Sequence, residues 1–309
     1  MSWILLLAGF VLLVLGGDWL VRGASNLALR LGISPLVIGL TVVAFGTSAP
    51  ELAATIASSL QGAPDLGIGN VLGSNVANVG LILGASAALA PIATNTSFLQ
   101  RDVPLAIGTM LLLVPLTLDG RLGRIDGLIL LGILAAYLTY LVRFDPDAIN
   151  EEVPESPSER PPLAPAIGRV LVGLSFLVLG ADLVVRGGVE IAAQLGVPER
   201  IVGLTLVAFG TSLPELATSI AAAARRQGDM ILGNIAGSNL FNVLAVLGVT
   251  ASGTTLPVRL GDVTIDLLVA VGFSAFLLPV MAARGNLGRT AGVTLLAAYL
   301  TYMVLLFVT

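Results

Sequence analysis

Thr41-Val-Val-Ala-Phe-Gly-Thr-Ser-Ala-Pro-Glu51 returns later in the chain as Thr205-Leu-Val-Ala-Phe-Gly-Thr-Ser-Leu-Pro-Glu215, with nine of eleven residues identical. Two more segments return with it. Gly16-Gly-Asp-Trp-Leu-Val-Arg-Gly23 is echoed by Gly180-Ala-Asp-Leu-Val-Val-Arg-Gly187. Gly69-Asn-Val-Leu-Gly-Ser-Asn-Val-Ala-Asn78 is echoed by Gly233-Asn-Ile-Ala-Gly-Ser-Asn-Leu-Phe-Asn242. All three pairs are separated by 164 residues. A constant offset of this kind is an internal duplication.

The duplicated segments sit in apolar sequence. Of 309 residues 56% are hydrophobic and only 11% charged, against about 25% charged in a soluble domain. Runs such as Leu105–Leu116 and Leu128–Val142 exceed what a soluble core needs. A spanning helix takes about 20 apolar residues, and ten stretches qualify: 3–21, 33–60, 66–90, 102–118, 125–143, 167–185, 197–224, 229–252, 262–282 and 289–309. The fold class is therefore an all-α polytopic membrane protein. Met1–Leu20 lacks a basic start and a small-residue cleavage site, so it reads as a retained first helix.

Five helices in each half make an odd number of crossings, so the second half must enter the membrane inverted. The organisation is a first repeat over 1–143, a linker over 144–166 and an inverted repeat over 167–309. The linker carries acidic residues with Pro146, Pro154, Pro157, Pro161, Pro162 and Pro165 and reads as solvated. It lacks the Asp/Asn/Gly spacing of a calcium loop. With both termini outside, ten Arg fall in inside loops and five in outside loops, Arg22, Arg30 and Arg186 among those assigned to loops. That asymmetry puts the linker in the cytoplasm.

Absent residue types exclude much chemistry. With no Cys and no His there is no thiolate, no imidazole base and no usual transition-metal ligand. The basic residues are all Arg and scattered, which gives no nucleic-acid stripe. Without His or Lys to activate a Ser, an intramembrane hydrolase is disfavoured, and the chain is not expected to be an enzyme. A passive cation channel would use the same oxygens as an exchanger, and only counter-ion dependence separates the two.

Most acidic residues fall in loops or near the ends of the expected helices, whereas Glu51 and Glu215 fall well inside them. A carboxylate at membrane depth costs several kcal/mol unless it meets a cavity, a cation or a partner. Thr47 and Glu51 share a helix face with Ser48 nearby, and Thr211, Glu215 and Ser212 repeat the arrangement. Pro50 and Pro214 disturb the preceding turn, which frees carbonyls from Ala44 to Thr47 and from Ala208 to Thr211 as candidate ligands. On the next helix Asn70, Ser74 and Asn78 stack at four-residue spacing, as do Asn234, Ser238 and Asn242. Gly69, Gly73, Gly233 and Gly237 let these helices pack closely. Asn75 and Asn239 point away from the serines and read as helix-packing residues. Asp18 with Arg22, and Asp182 with Arg186, read as ion pairs at helix ends. Carboxylate, hydroxyl, amide and carbonyl oxygens suit hard cations such as Ca2+ and Na+.

The Gly46–Glu51 and Gly69–Asn78 segments, with Gly210–Glu215 and Gly233–Asn242, resemble the paired alpha-repeats of the calcium/cation antiporter superfamily, and the size resembles the prokaryotic sodium/calcium exchangers. The resemblance implies an alternating-access antiporter in the cell membrane. It would exchange Ca2+ for Na+, with inorganic cations and the lipid bilayer as its partners, no cofactor and no obligate protein partner. It implies that Glu51, Glu215, Thr47 and Thr211 hold Ca2+. It implies one monovalent-ion site of Ser74, the Ala44 carbonyl, Thr47 and Glu51, and a second of Ser238, the Ala208 carbonyl, Thr211 and Glu215. Asn78 matches a central amide, and Ser48 and Ser212 line the passage. The first and sixth helices would slide over the rest. Asn242 stands where sodium/calcium exchangers commonly have Asp, which leaves two carboxylates and so an altered stoichiometry, with H+ as the alternative coupling ion.

Overall fold

In a computed structural model of the protein, residues 2–144, 160–195 and 208–308 are described, and they are nearly all helix. Among these residues eight helices are long and apolar enough to cross a membrane, and the bent pair Pro35–Thr47 and Ala49–Leu60 makes a ninth candidate. The seventh expected helix is seen as Ala208–Thr211 and Leu213–Ala224. Its beginning, like most of the linker, lies outside the described residues.

The first helix runs from Ser2 to Leu31, ten residues beyond the expected end, and its counterpart runs from Leu163 to Gln194. Hydropathy stops at the first charges, but the helix does not. Arg22 pairs with Asp18 at 2.9 Å and Arg186 with Asp182 at 2.9 Å, one turn apart within each helix. Arg22, Arg30 and Arg186, expected in loops, therefore lie within helices. The later helix also takes in 163–166, assigned above to the linker. The first helix ends where Gly32 adopts φ +71°, a backbone angle that suits only glycine comfortably. Ser34 then caps the next helix through the Val37 N–H at 3.3 Å.

These two long helices lie antiparallel with their backbones almost touching. A Cβ on Gly16 would stand 2.9 Å from the Gly173 carbonyl oxygen, and one on Gly180 would stand 2.9 Å from that of Gly9. Gly9, Gly16 and Gly23 recur every seven residues, as do Gly173, Gly180 and Gly187. Between membrane helices there is no water to expel, so close approach of small residues supplies the association. Two short antiparallel clasps also join the halves: Ile92–Ala93 with Asn286–Leu287, and Arg121–Leu122 with Leu256–Pro257.

Asp102, expected as the first residue of its helix, lies one turn inside the span Phe98–Leu116 and is completely buried. The Tyr137 hydroxyl donates to it at 2.8 Å, and the Arg101 Nε donates at 2.6 Å. At the corresponding place in the second half Tyr302 donates to Asp266 at 2.6 Å. Partners of this kind account for Asp102 structurally.

Gly16→Ala should lower stability by about 1–3 kcal/mol, because the added methyl overpacks a backbone contact. Gly132, where a Cβ would meet open space, should tolerate Ala with a gain of up to about 1 kcal/mol. Thermal unfolding of the purified protein in detergent compares the two.

Candidate cation site

The second helix breaks at Ser48 (φ −82°, ψ 5°), because Pro50 has no N–H to continue the ladder. Its two parts, Pro35–Thr47 and Ala49–Leu60, diverge by 41°. Ser212 takes nearly the same conformation (φ −87°, ψ 3°) before Leu213–Ala224. Each break places a Glu in the first turn of the following helix. Glu51 and Glu215 are both 1% exposed. The Ala44 carbonyl is not set free by the break, since it accepts the Ser48 N–H at 2.9 Å and the Thr47 hydroxyl at 3.3 Å. Ala208 opens the corresponding turn, and its side chain lies outside the described residues.

Hydroxyls cross from one half to the carboxylate of the other. Ser48 donates to Glu215 Oε1 at 3.2 Å, and Ser212 donates to Glu51 Oε1 at 3.2 Å. Ser212 reaches Ser74 at 3.2 Å as well, which puts Ser74 beside Glu51. Thr47, grouped with Glu51 from spacing alone, faces the opposite half and donates to Asn234 Oδ1 at 3.4 Å. Thr211 donates in the same way to Asn70 Oδ1 at 3.3 Å.

The helices Pro64–Leu89 and Gly228–Gly253 carry the amides, and both widen into π-helical turns that begin at Asn78 and Asn242. Such turns recur at functional positions. Gly233 and Gly237 let the second of these helices meet the backbone of the second helix, where Cβ atoms would lie 2.2 Å and 2.6 Å from the Leu36 and Leu40 carbonyl oxygens. A Cβ on Gly69 or Gly73 meets no described atom within 4 Å. Asn78 Nδ2 donates to Asn239 Oδ1 at 3.0 Å, and Asn242 Nδ2 donates to Asn75 Oδ1 at 3.0 Å. Asn75 and Asn239 thus join the two helices.

Once these bonds are made, Glu51 Oε2, Glu215 Oε2, Asn78 Oδ1, Asn242 Oδ1 and Ser238 Oγ are buried with no hydrogen-bond partner. Unsatisfied buried oxygens are rare. These five belong to residues of the duplicated motifs and combine two carboxylates with neutral oxygens, the donor set of a hard cation, while two more, Ser86 Oγ and Ser274 Oγ, lie outside the motifs. Around them stands a support that spacing alone did not assign. Asn70 Nδ2 donates to Thr55 at 3.2 Å, and Asn234 Nδ2 to Ser219 at 3.1 Å. Thr55 lies one turn after Glu51 and is duplicated as Ser219, a polar position in an apolar stretch that would have marked it.

The two sides of the site are not equally covered. Leu213–Ala224 buries seven residues, and Ala49–Leu60 buries Glu51 and Thr55. The first helix packs onto the former, with a Cβ on Gly17 falling 2.7 Å from the Ala217 carbonyl oxygen. Asp18 pairs with Arg225, and Ser25 donates to Gln227 at 2.9 Å. Gln61 stands at the position equivalent to Arg225, and Asp182 pairs within its own helix.

Comparison with known proteins gives the family and the overall fold. The family model for sodium/calcium exchanger protein matches residues 1–143 and 165–308. The sodium/calcium exchanger MaX1 of Methanosarcina acetivorans is 33% identical over 99% of this chain and 98% of its own. Inner membrane protein YrbG of Escherichia coli is 34% identical over 98% of this chain and 96% of its own. The sodium-calcium exchanger NCX_Mj, soaked with 10 mM Na+ and zero Ca2+, matches with a TM-score of 0.86 at 35% identity, covering 98% of each chain. Matched in both halves by one family and end to end by its relatives, this chain belongs to the sodium/calcium exchanger family, and it is a membrane antiporter of cations.

Proposed function

We propose that the chain is a secondary active antiporter that exchanges Ca2+ for Na+ by alternating access at one central site. The observation that carries this reading is the set of buried, unpartnered oxygens on Glu51, Glu215, Asn78, Asn242 and Ser238. Glu51 and Glu215, with Thr47 and Thr211, hold Ca2+. Ser74 and Ser238, with the carbonyls of Ala44 and Ala208, extend the site on either side for monovalent ions, the Ala44 oxygen keeping the Ser48 N–H and exchanging the Thr47 hydroxyl for the ion. Because the ligand sets overlap, one cargo excludes the other. An empty site leaves two facing carboxylates unneutralised, which opposes the switch between states.

The frame for this cycle is ten spanning helices in two inverted repeats, 1–143 and 167–309. Both termini lie outside, and the 144–166 linker lies in the cytoplasm of a prokaryotic cell. The 164-residue duplication and the antiparallel first and sixth helices support it. Alternating access draws support from the uneven covering of the site. The side sealed by Leu213–Ala224, Asp18 and Arg225 is the inner one in this orientation, and exchange of the roles of the two repeats would seal the outer side.

Two carboxylates carry two negative charges, and Asn242 adds none. One Ca2+ or two monovalent ions balance them, so the exchange is electroneutral. In proteoliposomes an imposed Na+ gradient should drive 45Ca2+ uptake with no accompanying current. A clear current under a Na+ gradient alone would contradict that stoichiometry. Protons neutralise the same pair, which makes H+ the second reading. Uptake driven by a proton gradient with Na+ absent selects it.

Glu51→Gln or Glu215→Gln should weaken Ca2+ transport about a hundredfold or more, the scale of losing one charged partner from a buried site. The fold should persist, as thermal unfolding will report. Near-normal transport by either variant would overturn the assignment.

A further inference from the structure

Asn75 is completely buried, and its side chain meets no unpartnered oxygen of the cation site directly. Its hydrogen bonds nevertheless decide how one ligand faces. Asn75 Nδ2 donates to the backbone carbonyl of Asn239 at 3.4 Å. A backbone carbonyl only accepts, so this contact settles which end of the Asn75 amide lies on which side. The Asn75 Oδ1 is then the end offered to Asn242, and it accepts Asn242 Nδ2 at 3.0 Å. With its N–H engaged, Asn242 turns Oδ1 into the buried space, where that oxygen has no partner. Reversed, the Asn242 amide would point N–H groups at a cation.

We propose that Asn75 is a positioning residue for ion binding, holding the Asn242 amide so that its oxygen faces the cation; this rests on the cation site proposed above. Asn239 does the same for Asn78, whose Nδ2 it accepts at 3.0 Å. A neutral amide is a cation ligand on one side only, and each needs a second amide from the opposite half to aim it. A carboxylate at 242 would not need aiming, since both of its oxygens accept.

That difference supplies the test. Ca2+ binding to the full-length purified protein is measured calorimetrically for wild type, Glu51→Gln, Asn75→Leu, Asn242→Asp and Asn75→Leu/Asn242→Asp. Asn75→Ala replaces the Leu variant throughout if the latter does not fold. Asn75→Leu should weaken Ca2+ binding about tenfold in the otherwise native chain, and less than about threefold in the Asn242→Asp background. An equal loss in both backgrounds marks a packing role and overturns the proposal, as does no loss in the native chain. If Glu51→Gln binds Ca2+ like wild type, the cation site itself fails, and the role of Asn75 falls with it. Binding lost in Glu51→Gln but untouched by Asn75→Leu overturns only the role of Asn75.

Discussion

A buried oxygen with no hydrogen-bond partner is costly anywhere, and at membrane depth there is no water to relieve it. Among the described residues seven such oxygens occur, five of them on Glu51, Glu215, Asn78, Asn242 and Ser238 and the other two on Ser86 and Ser274. The surrounding architecture keeps the five unpaired. The breaks at Ser48 and Ser212 put each Glu at a helix start, and hydroxyls from the opposite half occupy one carboxylate oxygen and leave the other. The amide bonds engage nitrogens and spare oxygens.

Contacts across the duplication, more than within either repeat, build the site. Ser48 serves Glu215, Ser212 serves Glu51, Asn75 holds Asn242 and Asn239 holds Asn78. Neither half alone contains all of the unpartnered oxygens on Glu51, Glu215, Asn78, Asn242 and Ser238. The alternating access proposed above would draw on this interdependence, with the two halves exchanging roles. The departures from symmetry bear on that exchange. Arg225 ties Asp18 to one end of the site, whereas its equivalent is the uncharged Gln61.

Much of this was legible in the chain. The duplication located the motifs, Pro50 and Pro214 marked the breaks, and the two Glu stood out because so few charges lie inside apolar stretches. Other features lay beyond linear reasoning. Helical spacing paired Thr47 with Glu51, but the bend turns Thr47 toward Asn234 of the opposite half. Hydropathy ended the first helix at its first charges, though an ion pair one turn apart carries it on to Leu31. Asn75 and Asn239 were rightly placed off the serine face, yet what they hold depends on how two distant helices cross. Hydropathy began the fourth helix at Asp102, but the helix starts a turn earlier, and the burial of Asp102 beside Tyr137 depends on a helix 35 residues away.

The central claim is that the unpartnered oxygens hold the transported cation, and a Ca2+-soaked crystal structure tests it most directly. The account predicts an anomalous peak between Glu51 and Glu215, with carboxylate oxygens of both at about 2.3–2.6 Å. A Ca2+ peak found elsewhere, with none between these two residues, would contradict it.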